Sequence, residues 1–338
     1  MRLNIIGNGF DLYHGLPTSY YYFGCFLASQ YPDFYAEMSN MYGFVCYKRV
    51  GHDDVDFVVS DMFWKTFEEK LGYLDSGWME HSLMDDLGLE CDDPIDLDIP
   101  EVINSRVIKD KFSEWIYSTV NTSQNFKTIK SYISRNKRRF RHDDYFVNFN
   151  YTQTLEEVYD IPYNRVLHIH GECALDTKDG DLIVGHGNNS AIQDLRQKIT
   201  EIENGVDWLG FQSERNRLRE YQCEKSILED LKKDVPSLSA NLISTLRRTG
   251  LCFDEIRVWG LSCGSVDEQY IRALHDCYPE AKWEFSYWDQ SEKQKRKNFA
   301  KKLGLNAVRF FEFVNPNSEL ICSEIVAQNH IDEYEKCN

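Results

Sequence analysis

The chain has 338 residues, of which 42% are hydrophobic and 14% aromatic, and its formal net charge is −17. The apolar content excludes a disordered acidic polymer, the negative field argues against general binding to a nucleic-acid backbone, and no run approaches the roughly 20 apolar residues that span a bilayer. Ten cysteines without a Cys-x-x-Cys pair read as reduced thiols in a chain too large to need disulfide staples, so a cytoplasmic location is expected.

In chain order, the first predicted strand is Arg2–Ile6, which runs into the turn Gly7-Asn8-Gly9. A long stretch follows, far more than one crossover helix requires, and its pattern is mainly helical. Helices are predicted at Tyr20–Leu27, Phe57–Leu71, Ile108–Val120 and Phe126–Ile133, with an acidic surface loop near Glu90–Asp98. Arg135, Lys137, Arg138, Arg139 and Arg141 form a local basic run, read as a solvated helix end and loop, with a site for a phosphate or an acidic partner as the alternative. Further strands are predicted at Tyr145–Asn150, Arg165–His170, Leu182–Val184, Glu255–Gly260, Ala281–Tyr287 and Ala307–Phe313. Thr154-Leu155-Glu156-Glu157 matches a capping box, and Val266, Tyr270, Ile271 and Leu274 fall at helical spacing.

Strands alternating with helices predict an α/β fold: one Rossmann-like, largely parallel sheet over residues 1–338 with helices on both faces. Large helical insertions are expected at about 20–144 and 191–248.

Ligands of a parallel sheet bind beyond the carboxyl ends of its strands, so the residues just after each strand are the candidates. Gly7, Asn8, Gly9, Phe10 and Asp11 follow the first strand, and Asn150 and Thr152 the second. His170 and Gly171 end the third, while Gly260 and Ser262 lie at the end of Glu255–Gly260. Glycines at 7 and 9 permit a tight turn with amide groups open to a phosphate, or simply an ordinary strand-to-helix turn. Asp11 either accepts from a ribose hydroxyl and orients water or caps the next helix. In an alternating strand His168 and His170 point to one side, and His170, with Asn150 at a neighbouring strand end and the glycine turns converging on it, is expected to be functional. His168, His170, His186 and Asp11 match no zinc-site spacing, so no metal is expected.

The opening Ile5-Ile6-Gly7-Asn8-Gly9-Phe10-Asp11-Leu12, with His14-Gly15-Leu16-Pro17-Thr18-Ser19-Tyr20, resembles the start of AbiH-family phage abortive-infection proteins. Phe149-Asn150-Tyr151-Thr152, Thr154-Leu155-Glu156, His168-Ile169-His170-Gly171, Gly185-His186-Gly187 and the Phe63-Trp64 stretch agree in order. The same blocks bear a fainter similarity to sirtuin-like NAD-binding domains. There Asn150 and His170 stand where the sirtuin-like asparagine and catalytic histidine would, while Thr152 replaces an aspartate and Leu261-Ser262-Cys263-Gly264 departs from the usual pattern.

That resemblance implies an NAD-consuming defence enzyme. NAD would be the substrate, cleaved at its nicotinamide–ribose bond, with no further cofactor. The Gly7–Gly9 turn would cradle the pyrophosphate, and Asp11 or Ser262 the ribose hydroxyls. An activating partner protein, a phage-derived trigger or self-assembly is expected to control it. A non-catalytic nucleotide sensor and a metal-dependent phosphodiesterase or nuclease are the alternatives from other classes.

Overall fold

The computed structural model describes residues 1–49, 55–59, 61–75, 105–133, 140–178, 182–205 and 212–329. Its strands are β1 (Arg2–Ile6), β2 (Tyr47–Arg49), β3 (Val55–Phe57), β4 (Tyr145–Asn148), β5 (Val166–His168), β6 (Glu255–Trp259), β7 (Lys282–Tyr287) and β8 (Arg309–Glu312). Six of them form one sheet in the order β5-β4-β1-β6-β7-β8, and every pairing in it is parallel. Parallel neighbours need crossovers, which here include helices such as Thr154–Tyr159, Ser265–Cys277 and Gln290–Lys302. The result is the expected α/β, Rossmann-like architecture.

The chain divides into two compact units, each assembled from separated segments. The sheet unit comprises Met1–Ser19, Ser113–Ile183 and Asp234–Asp332. β1 is central, with Leu3 opposite Tyr145 of β4 and Ile256 of β6. One face presents Leu3, Ile5, Val147, Ile256, Val258, Trp283 and Phe285 to Leu242, Leu246, Tyr270, Ile271 and Leu274 of the flanking helices. Fully burying a side chain of this size contributes about 1.5–3 kcal/mol, so this layer fixes which way each strand faces. The alternate residues of the same strands include Arg2, Asn4 and Asn148, all buried. Arg2 pairs with Asp144, and Trp259 Nε1 donates to Asn4 Oδ1 at 3.0 Å. Arg2 and Asn4 therefore have partners inside this layer, as burial demands.

The second unit comprises Tyr20–Phe112, Val184–Lys233 and Glu333–Asn338. It contains the helices Tyr20–Gln30 and Pro32–Tyr42 and the antiparallel pair β2–β3. Phe23, Tyr35, Phe44, Phe63, Trp64 and Phe67 form an aromatic core, with the Trp64 and Phe67 rings stacked at 5.1 Å. Helices Ser190–Gly205 and Gln212–Asp230 meet through Ile192, Leu195 and Leu228.

Several sequence expectations change. Leu182–Val184 is not a strand: it is irregular, and Ile183 N donates one bond to His170 O at 2.9 Å. The predicted Phe57–Leu71 helix is instead the end of β3 and two short helices, Asp61–Trp64 and Phe67–Lys70. Its bulky aromatics pack inward without needing a continuous helix. Ile108–Val120 is an α-helix, Ser105–Trp115, that ends in a π-turn, Ile116–Val120. Glu90–Asp98 and Arg135, Lys137, Arg138 and Arg139 lie outside the described residues, while Arg141 Nη1 lies 3.5 Å from Glu255 Oε2. The described cysteines are free thiols, and no helix among the described residues is long and apolar enough to cross a membrane.

Candidate functional site

The carboxyl ends of β1, β4, β5 and β6 lie side by side in the sheet unit, and most candidate residues fall there. The Gly7-Asn8-Gly9 turn leads into a short helix, Gly9–Tyr13. Its backbone is already engaged: Gly7 N donates to Trp259 O at 2.9 Å, Gly9 N to Gly260 O at 2.8 Å and Phe10 N to Gly7 O at 2.8 Å. Of the two readings of this turn, these bonds match the ordinary strand-to-helix turn. A Cβ at Gly7 would sit 2.6 Å from Leu261 Cα, and one at Gly9 2.8 Å from Gly260 Cα. Close passage of the β1 and β6 ends is what requires these glycines. Asn8 is exposed, with its Nδ2 donating to Thr18 O at 3.1 Å. Phe10 is core, packed on Phe313 at 6.0 Å and Tyr159 at 5.8 Å.

Asp11 lies inside this short helix and caps nothing with its side chain. Thr152 Oγ1 donates to its Oδ2 at 2.6 Å, and Thr154 Oγ1 donates to its Oδ1 at 2.7 Å. Burial pushes the Asp11 pKa up to about 6, against the opposing hydroxyl bonds and the nearby Asn150 amide. The predicted capping box at Thr154 is thereby corrected, because Gln153 is the N-cap of Thr154–Tyr159 and makes no side-chain cap bond. Asn150 Nδ2 donates to Gly7 O at 3.2 Å, its own backbone N to Asn148 Oδ1 at 3.0 Å, and Asn148 Nδ2 to Thr152 O at 3.2 Å. Asp11, Asn148, Asn150, Thr152 and Thr154 thus form one buried network.

His168 and His170 diverge. β5 ends at His168, which lies opposite Asn148 in register, and its Nε2 is 3.1 Å from both Glu156 Oε1 and Glu172 Oε2. Burial alone would lower the His168 pKa, but the Glu156 bond and charge and the Glu172 charge lift it above the ordinary histidine value. His170, past the strand end, is packed by Phe149, Tyr151 and Tyr270. Its Nδ1 lies 3.3 Å from Phe149 O and its Nε2 3.4 Å from Tyr270 Oη. Gly171 takes φ +82°, turning the chain after it. Gly260 adopts φ +61°, and its N donates to Ser286 Oγ at 2.8 Å. Ser262 is exposed, and its Oγ donates to Asp267 Oδ2 at 2.5 Å at the start of Ser265–Cys277. In the second unit His186 has Nε2 2.9 Å from Leu228 O and accepts from Asn188 N at 3.1 Å.

The bacteriophage abortive infection AbiH family model matches residues 3–287. The chain belongs to this family. Membership makes it a phage abortive-infection protein, and the matched span takes in the whole polar network and both histidines. No curated protein and no solved structure matches the chain.

Strand ends picked out Asp11, Asn150 and Thr152 in the sequence. Asn148, Thr154, Glu156 and Glu172 were missed as site residues, because their roles depend on the register that places Asn148 beside His168 and on the turn after His170. His14 was missed too: its Nδ1 is 2.6 Å from Phe10 O and its Nε2 2.7 Å from Tyr159 Oη, which fixes the helix Gly9–Tyr13 from beneath.

Proposed function

We propose that the chain is an abortive-infection effector that hydrolyses NAD at the nicotinamide–ribose bond. The observation that supports this reading is the juxtaposition of Asp11, Asn150 and Thr152 at the carboxyl edge of the central strands, where parallel sheets bind nucleotides. Water adds to the ribose anomeric carbon, the carbon–nitrogen bond breaks, nicotinamide leaves with the electron pair, and a proton is released. Positive charge builds on the ribose as that bond breaks. Asp11, mainly ionised at neutral pH with a pKa of about 6, stabilises it. Asn150 orients the ribose or the water, and His170 takes the proton as general base. The strand ends at Gly7–Asp11, Gly171, Gly260 and Ser262 border the nucleotide. NAD is substrate here, so the reaction consumes it without a recycled cofactor.

Asp11 and Thr152 are each 1% exposed, and Asn150 and His170 each 6%. Substrate entry then requires this edge to open, which fits control by a partner, a phage product or self-assembly. The test is incubation of the purified chain with NAD, alone and with lysate from infected cells, followed by mass spectrometry. ADP-ribose and nicotinamide are expected in equal amounts, with at least about a hundredfold loss in Asn150→Ala and His170→Gln at little change in Tm. Intact NAD throughout would overturn the reading in favour of a non-catalytic nucleotide sensor.

A further inference from the structure

Three side chains from three different elements converge beside the network. Glu156 comes from the helix Thr154–Tyr159, His168 from the end of β5, and Glu172 from the turn that Gly171 makes possible. His168 Nε2 lies 3.1 Å from one oxygen of each carboxylate, and all three potential donor atoms lie within 4.8 Å of one another. A single N–H cannot point along both directions with good geometry. Glu156 Oε2 is buried with no hydrogen-bond partner on a side chain only 3% exposed, and Glu172 Oε2, likewise buried, has only its 3.1 Å ion pair with His168 Nε2, on a ring 9% exposed. Unpaired buried carboxylate oxygens are costly, and they need a positive group that can serve several donors at once.

We propose that Glu156, His168 and Glu172 bind a divalent transition-metal cation of the zinc or manganese type. One imidazole and two carboxylates are the donors such cations take. The 3.1 Å donor separations are close to the edge of roughly 3.3 Å expected for a tetrahedral site with bonds near 2.05 Å. The Asn150 backbone favours a proton on the His168 ring, and with Nδ1–H donating to it the Nε2 lone pair is left for the side of the carboxylates; the Asn148 amide, 3.5 Å from Nδ1, then keeps its own bond to Thr152 O. The Glu172 side chain is 34% exposed, so a cation can reach the cluster from solvent along it. The proposal stands independently of NAD hydrolysis, since it concerns binding alone.

The full-length chain, stripped with a chelator, is titrated at pH 7.5 with Mn²⁺, read by the electron paramagnetic resonance of the free ion, and with Zn²⁺ by calorimetry. One cation per chain is expected, with a rise in Tm on addition. In Glu172→Ala the Kd should rise at least about tenfold and the Tm gain should vanish, while the metal-free Tm stays near that of the unmodified chain. Glu172→Gln gives the same comparison should the alanine variant fold poorly. Absence of binding by both ions, or binding equally tight in Glu172→Ala, Glu172→Gln and Glu156→Gln, would overturn the site.

Discussion

Asp11 carries the sharpest residue-scale consequence, because burial raises its pKa from 3.8 to about 6 while two threonine hydroxyls hold both its oxygens. The folded state binds the proton more tightly than the unfolded one, so this group's contribution is greatest below the unfolded value. It falls as pH rises from about 4 to about 6, and the loss is complete above that. The shift corresponds to about 3 kcal/mol. Asp11→Asn has no titrating group and keeps the shape of the protonated acid, with the threonine hydroxyls free to reorient. Urea unfolding at pH 4.5 and pH 7 should therefore show the variant gaining on the unmodified chain at the higher pH by about 2 kcal/mol, since at pH 4.5 the unfolded carboxyl is already mostly ionised. A pH-independent difference would mean that Asp11 is not buried as described. Much of this site was legible in sequence, since Asp11, Asn150 and Thr152 follow strands directly. Glu156 and Glu172 were not, because a carboxylate on a helix or in a turn acquires meaning only from the histidine that the strand register brings to it.

The ends of β1 and β6 show how an element-level constraint can look like a ligand signature. Gly7 and Gly9 allow a phosphate turn as one reading in sequence, yet they pack against Gly260, where a Cβ would lie 2.3 Å from Phe10 N at a backbone φ of +61°. Gly250 has nearly the same φ, +67°, but nothing lies within 4 Å of its Cβ position. Gly250→Ala should cost about 1–2 kcal/mol, the ordinary penalty of left-handed backbone for an L-residue. Gly260→Ala must in addition push two backbones apart and should leave little folded protein. Comparing their Tm values separates strain from collision, and equal shifts would argue against the close passage. Among the strands, β1 was legible to the residue, and β4 and β6 ended one or two residues early, because their apolar positions alternate between clear turn signals. Leu182–Val184 carried a similar apolar signal without a neighbour to pair with. The β2–β3 pair was missed because three-residue strands are too short to show alternation.

At the scale of the whole chain, the sheet unit depends on segments that are far apart in sequence. β1 has β4 on one side and β6 on the other, and the apolar layer joins Leu3 and Ile5 to Trp283, Phe285 and Tyr270. No N-terminal portion can complete that layer by itself. A fragment ending at Lys233 keeps β1, β4 and β5 but lacks β6, β7 and β8, so it leaves one edge of β1 unpaired and the Leu3–Ile5–Val147 face without its facing side chains. Loop closure over such distances is unfavourable until the late strands contribute their contacts, which also makes folding of the intact unit slow. Native-state hydrogen exchange on the full chain should show the β1, β4, β6 and β7 amides as the slowest, opening together as one cooperative block. In the fragment, the β1 and β4 amides should exchange at least about a hundredfold faster. Equal protection of β1 and β4 in the fragment would show that the N-terminal portion closes its own core, and the central placement of β1 would then not be what ties the sheet unit together.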